Sequence, residues 1–135
     1  MSSTYLYRLL KSSWGIRISI TASIEKLKGL APSVGAESSI DVRFAGRAES
    51  LPDDLKGRIR KGFSIIEDEV VEACGGAAAL VTIEDISYNE ADFQAEGLEI
   101  AAIRWAEQEL GLPQREIVEV FNKEENKYLF AFPEI

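Results

Sequence analysis

The acidic side chains around residue 84 are the ones whose types and spacing could support chemistry. Glu84 and Asp85 follow a β-branched run at 81–83, and Asp92 comes seven residues after Asp85. Carboxylate oxygens are the protein ligands that Mg²⁺ and Ca²⁺ prefer. We therefore predict Glu84, Asp85 and Asp92 as a candidate divalent-metal site. Turn formation and helix capping are the alternative explanation of Asp92.

The absence of histidine limits the catalytic chemistry of this sequence. Histidine is the commonest general base at neutral pH, so a conventional serine or cysteine triad is excluded. The chain has one cysteine, Cys74, which has no partner for an intramolecular disulfide and which we expect to be buried packing. No glycine-rich phosphate loop is present. These features favour a protein that is not an enzyme, and they predict no cofactor.

A basic cluster stands out in this acidic sequence: Lys56, Arg58, Arg60 and Lys61. It could bind an anion, or it could be the exposed side of an amphipathic helix. The formal net charge is −8, whereas nucleic-acid affinity depends largely on Lys and Arg neutralising phosphates. The charge therefore argues against a nucleic-acid partner and favours either a protein partner with a basic surface or no macromolecular partner. Solubility is the alternative explanation of the acidic charge.

Aromatic residues near the C-terminus and beside Asn89 suggest a contact surface. We predict that the partner-binding residues are Arg58, Arg60, Tyr88, Asn89, Tyr128 and Phe130. Core packing is the alternative for the aromatic members of this set. An uncovered edge strand could also pair with a second copy of the chain.

Local patterns predict the elements that position these residues. Period-two alternation indicates strands at 16–21 and 40–44, with a loop at 31–39, while 5–10 fits a strand or a short helix. One long helix is expected from Asp53 to Cys74, with Ser50 as its cap and Gly75-Gly76 as its end. A central strand at 79–86 should precede a second helix that Asn89 caps and Gly111 ends, and a hairpin at 117–121 and 128–132 should follow.

This order predicts an α+β fold in which two helices pack on one face of a mixed sheet. A chain of 135 residues fits a single domain, 1–135. No apolar run approaches the ~20 residues of a membrane span, and no signal peptide is recognisable, so we expect a cytoplasmic protein without a membrane partner.

Part of the chain, 59–106, resembles the fourth domain of translation elongation factor G. The resemblance rests on Gly75-Gly76-Ala77, Val81-Thr82-Ile83-Glu84-Asp85, Tyr88-Asn89, Asp92, Leu98 and Ala101. It covers about a third of the chain and implies a ribosomal protein S5 domain 2-like fold. In that family a histidine of the ribosome-contacting tip occupies the position of Asn89.

Three functions are compatible with these observations. The leading hypothesis is a non-catalytic domain that binds another protein, with an adaptor, immunity or antitoxin-like role. The second is a stand-alone ribosome- or RNA-associated domain, as the resemblance implies. The third is a metal-dependent enzyme or small-ligand binder that uses Glu84, Asp85 and Asp92.

Overall fold

The computed structural model describes residues 2–11, 14–26 and 39–132. Its strands and α-helices, in chain order, are β1 (Ser3–Leu10), β2 (Gly15–Lys26), β3 (Ile40–Phe44), α1 (Asp53–Ile65), α2 (Glu67–Ala73), β4 (Ala79–Tyr88), α3 (Gly97–Leu110), β5 (Val118–Asn122) and β6 (Lys127–Ala131). Short 3₁₀ turns lie at Gly46–Ser50 and Glu90–Asp92. The predicted α+β class is confirmed. Within the described ranges, no helix is long and apolar enough to cross a bilayer.

Four strands form a mixed sheet in the order β1-β2-β4-β3. The β1–β2 and β2–β4 pairs are antiparallel, and the β3–β4 pair is parallel. The N-terminal segment is therefore a strand, which decides between its two predicted conformations. The prediction that β4 is an interior strand is confirmed. The C-terminal hairpin also forms as predicted, but β5 and β6 make a separate two-stranded sheet.

The core lies between the inward face of the larger sheet and the helices. Ile16, Ile18 and Ile20 alternate with polar residues along β2 and are at most 2 % exposed, which is the predicted one-sided strand. The two long helices cross closely, because a Cβ atom at Gly62 of α1 would lie 2.5 Å from the Glu99 carbonyl oxygen of α3. At the start of α3, Gly97 allows a close approach to β2, because an added Cβ atom would lie 3.0 Å from the Ile18 Cδ1.

The predicted long helix is wrong, since the chain leaves helical geometry at Ile66 (φ −108°, ψ 17°) and resumes as α2. No helix-breaking residue marks this point. Ile66 itself is buried, as are Phe63 before the break and Val70 after it, so tertiary packing sets the break. Ser50 does not cap α1. Its hydroxyl donates to the Arg47 carbonyl inside the 3₁₀ turn, and Pro52 precedes the helix.

Asn89 also has a more local role than predicted. Its Oδ1 accepts from the Ala91 N–H at 3.0 Å and caps the short 3₁₀ turn, whereas α3 begins only at Gly97. The α3 end agrees with prediction, because Gly111 is left-handed with φ 64°. The predicted loop at 31–39 falls outside the described residues except for Ser39.

Candidate functional site

The outward side of the β5–β6 hairpin is an apolar surface. Val118, Val120 and Leu129 are 39 %, 51 % and 41 % exposed. Val120 lies directly opposite Leu129 in the register, and Val118 lies opposite the exposed Ala131. These four residues form one contiguous patch, which we call the apolar hairpin face. Contiguous apolar side chains on a surface make it a candidate interaction site.

The inward side of the hairpin packs against the rest of the protein. Tyr128 is 1 % exposed and makes edge contacts with Trp14 and Phe121, at ring-centroid distances of 5.2 and 5.1 Å. Its hydroxyl donates to the Trp14 carbonyl at 2.7 Å and accepts from the Lys11 N–H at 2.8 Å. Tyr128 was predicted to bind a partner, but its side chain belongs to the core.

One edge of β6 is partly open. Gln94 satisfies both backbone groups of Tyr128: its Nε2 donates to the carbonyl at 2.7 Å, and its Oε1 accepts from the N–H at 2.8 Å. These groups therefore point away from β5, and by strand alternation those of Phe130 point the same way. Among the described residues, the Phe130 N–H and C=O, which point away from β5, have no hydrogen-bond partner. At Phe130, the edge of β6 therefore has backbone groups that are not paired with another described strand.

A groove of about 240 Å³ runs beside this edge. Its hairpin wall consists of Tyr128, Leu129, Phe130 and Phe132, and its helical wall of Arg58, Lys61, Glu96, Glu99 and Ile100. The structure thus brings three of the predicted partner-binding residues, Arg58, Tyr128 and Phe130, to one place.

The charges in the groove are largely paired. Glu99 has a side chain only 6 % exposed, and it accepts from the Arg58 guanidinium at 2.8 Å while the Lys61 Nζ lies 3.6 Å away. The hydrogen bond from Arg58 to Glu99 raises the pKa of the guanidinium. Arg58 therefore neutralises a buried carboxylate and is a wall of the groove more than a free anion-binding group.

The predicted basic cluster divides between two sides of α1. Arg60 lies on the side opposite Arg58, with its guanidinium 4.9 Å from the ring centroid of Phe44 and its Nη2 donating to the Val42 carbonyl. Lys56 shares this position over Phe44. Residues 58 and 60 are about 200° apart around the helix axis, so a small ligand cannot contact both side chains unless it wraps around α1.

Tyr88 and Asn89 lie at the end of β4, beside the 3₁₀ turn. The Tyr88 ring stacks on Phe93 at a centroid distance of 4.0 Å and an interplanar angle of 22°, and it remains 36 % exposed. Asn89 is exposed and uses its side-chain oxygen within the turn. Neither residue lines the groove.

The candidate metal ligands are placed by an irregularity in β4. The register with β2 shifts so that Glu84 is skipped, while Ile83 and Ile86 on either side are both buried. Glu84 and Asp85 consequently share the sheet face that points away from the core. The Ser2 hydroxyl donates to Glu84. In the part of the chain that the structure describes, no group of three His, Cys, Asp or Glu residues could hold a metal ion, so Asp92 does not complete a site with them.

The exposed members of the hairpin were missed at the sequence level. We predicted the aromatic positions of β6 as the contact surface, and these alternate positions point inward. The sequence did contain a signal, because both faces of the predicted strand at 128–132 are apolar. One face carries Tyr128, Phe130 and Phe132, and the other carries Leu129 and Ala131. A strand at the surface with two apolar faces has one face left for a partner.

Comparison with known proteins adds information on the fold. No protein-family model and no curated protein sequence matches the chain. A crystal structure of a protein from Thermus thermophilus is similar, with a TM-score of 0.50 and 14 % sequence identity. The similarity covers 76 % of this chain but only 14 % of that one. At this level of identity it shows a shared fold alone.

Proposed function

We propose that this chain is a non-catalytic interaction domain that binds another protein through its C-terminal hairpin. The observation that carries the proposal is the apolar hairpin face, where three large apolar side chains are 39–51 % exposed on one small sheet. Apolar surface of this kind costs free energy in water and is stabilised when a partner covers it.

The free edge of β6 supports a particular binding mode. An extended segment of the partner would pair with the outward backbone groups of Phe130 and extend the two-stranded sheet. Alternate side chains of that segment would enter the groove beside Phe130 and Phe132, while the others would continue the apolar hairpin face. Main-chain hydrogen bonds would give affinity, and the groove would give side-chain selectivity.

Charge favours a basic partner. The formal net charge of −8 attracts a protein with a positive surface over distances of about one Debye length, roughly 8–10 Å at ordinary salt. Such attraction mainly raises the association rate and weakens as salt is added. An adaptor, immunity or antitoxin-like role fits this combination of an acidic domain and an apolar contact.

The experiment compares two neutral double variants in affinity capture from native lysate. Val120→Thr with Leu129→Gln removes the apolar hairpin face, and Leu6→Thr with Leu10→Gln is the matched control on β1, where Leu10 is 74 % exposed. We expect a stoichiometric protein that the wild type and the control retain in the presence of nuclease. The hairpin variant should bind that purified protein at least about tenfold more weakly.

Three outcomes would contradict the proposal. The hairpin variant could capture the same protein as well as the wild type does. The captured material could be lost on nuclease treatment. Sedimentation could also show that the hairpin joins two copies of this chain, which would make the surface a dimer interface.

A second candidate is a stand-alone ribosome- or RNA-associated domain similar to the fourth domain of elongation factor G. The residues that carry that resemblance follow α2 and lie before and within β4, in the 3₁₀ turn after it and in α3. Under this hypothesis, charge reversal at Arg58 and Arg60 weakens RNA association. Unchanged RNA association in both variants would count against it.

A further inference from the structure

Two arginines lie side by side on the larger sheet. Arg8 of β1 and Arg17 of β2 are directly opposite in the antiparallel register. Both are exposed, while their neighbours Tyr7, Leu9, Ile16 and Ile18 are buried. Both guanidinium groups therefore stand on the face that points away from the core, with Cβ atoms roughly 4.5–5.5 Å apart as in any directly opposed pair.

Neither arginine has a carboxylate partner among the described residues. Arg8 and Arg17 take part there in no ion pair or side-chain hydrogen bond, whereas Arg43 on the same face pairs with Asp41 at 3.0 Å. Like charges directly opposite each other destabilise a sheet. The sequence contains 23 acidic residues. On this face of the sheet, the acidic residue nearest to Arg17 along the paired strands is Asp85. Asp85 lies opposite Thr21, which is about 13 Å from Arg17 along β2. Among the residues that the structure describes, Arg8 and Arg17 are therefore a positive pair without an ion-pair partner, on a protein of net negative charge.

Hydroxyl groups extend this site. Ser19 is the next residue on the same face of β2, and it lies opposite Ser87 of β4. Ser87 is exposed and Ser19 partly so. Two guanidinium groups and two hydroxyls therefore lie on one stretch of the outward face, where they can donate hydrogen bonds to a ligand outside the sheet.

We propose that Arg8 and Arg17 bind a phosphomonoester dianion, with Ser19 and Ser87 as further donors. Such a group carries about −1.5 to −2 charges near neutral pH and three acceptor oxygens. It therefore matches two guanidinium charges, and each planar fork can bind two of its oxygens. A single carboxylate or phosphodiester would leave one positive charge unbalanced. The dianion could belong to a small phosphorylated molecule or to a phosphorylated side chain, and the site does not depend on the hairpin.

The experiment is a titration of the isotope-labelled protein with phenyl phosphate, followed by the arginine side-chain NMR signals. We expect Arg8 and Arg17 signals to move together and to saturate. Arg8→Gln or Arg17→Gln should weaken binding by about tenfold or more. Arg43→Gln is the matched control, because it removes the same charge from the same face, and it should leave the affinity within about twofold of wild type.

Changing pH tests the requirement for a dianion. The second pKa of a phosphomonoester is ~6, so lowering the pH from about 7.5 to about 5 converts the ligand to a monoanion. Arginine does not titrate in that range. Binding of phenyl phosphate should therefore weaken severalfold at the lower pH, while benzenesulfonate should bind weakly at both values.

A phosphoserine peptide and its unphosphorylated form distinguish the two ligand sources. Tighter binding of the phosphopeptide than of phenyl phosphate, lost with Arg17→Gln, supports a modified protein as the source, and equal or weaker binding supports a small molecule. The proposal is overturned if phenyl phosphate moves no arginine signal at millimolar concentration, or if Arg43→Gln weakens binding as much as Arg17→Gln. It is also overturned if an RNA oligonucleotide without terminal phosphates binds the pair more tightly than the monoester.

Discussion

The close crossing of α1 and α3 provides a stringent test of the packing. A Cβ atom added at Gly62 would lie 2.5 Å from the Glu99 carbonyl oxygen, 3.0 Å from the Ala102 Cβ and 3.1 Å from the Glu99 Cα. The first and last of these are backbone atoms of α3, so no side-chain rotation can relieve the contact. The helices must move apart for alanine to fit.

Gly62→Ala combines two opposing effects on stability. Alanine favours the helical conformation over glycine by about 1 kcal/mol. Overpacking of a filled core costs about 1–3 kcal/mol, and backbone contacts at this distance belong at the upper end. The net expectation is a loss of about 1–2 kcal/mol in the free energy of unfolding. Gly57 is the control on the same helix, because it is exposed and no atom lies within 4 Å of its added Cβ.

Urea unfolding followed by circular dichroism measures both variants. Gly57→Ala should raise the free energy of unfolding by about 0.5–1 kcal/mol, so the midpoints should rank Gly57→Ala above wild type and wild type above Gly62→Ala. Equal slopes of the unfolding free energy against urea concentration would show that the substitutions change stability and leave the surface exposed on unfolding unchanged. The packing argument is refuted if Gly62→Ala is as stable as the wild type while Gly57→Ala gives its expected increase.

Three further substitutions test other contacts. Burial, together with the hydrogen bond to Glu119, raises the pKa of Tyr7 in the folded protein. The neutral Tyr7 hydroxyl therefore contributes fully to stability below the unfolded-state pKa of ~10, and this contribution is lost as the pH rises above that value. The stability advantage of wild type over Tyr7→Phe, measured by urea unfolding, should fall by up to about 1.4 kcal/mol per pH unit above pH ~10. Arg17→Thr should raise the thermal midpoint in phosphate-free buffer, corresponding to about 0.2–1 kcal/mol, because it removes the repulsion from Arg8. Glu107→Ala should lower the free energy of unfolding by about 1–3 kcal/mol, since this 5 % exposed carboxylate accepts from a guanidinium and from a backbone N–H.

The elements were predictable where local pattern and packing agree. The isoleucine alternation of β2, the β-branched run of β4 and Gly111 at the end of α3 each carry their own signal. The break at Ile66 has no local signal, because it arises from packing the chain on both sides of it against one core. The pairing partners of the strands likewise depend on contacts distant in sequence.

The candidate site was predictable only in part. Placing Phe130 near Arg58 requires the hairpin to fold back onto the helices, and no spacing in the sequence encodes that distance. The direct opposition of Arg8 and Arg17 depends in the same way on the register of β1 with β2. A shift of one residue would have placed them on opposite faces.

The hairpin also shows how a small sheet can offer an apolar face and remain ordered. An isolated two-stranded hairpin is marginally stable in water. Here the Tyr7 hydroxyl donates to the Glu119 carboxylate, and the Lys11 Nζ donates to the Glu119 carbonyl. The Trp14 Nε1 donates to the Asn126 Oδ1 at 3.1 Å, and the Gln94 Nε2 donates to the Tyr128 carbonyl of β6. All of these contacts use the inward side, the loop or the edge of the hairpin, so none covers the apolar hairpin face. The conformational cost of ordering that face is met during folding, so the proposed partner would bury it without having to order the hairpin again.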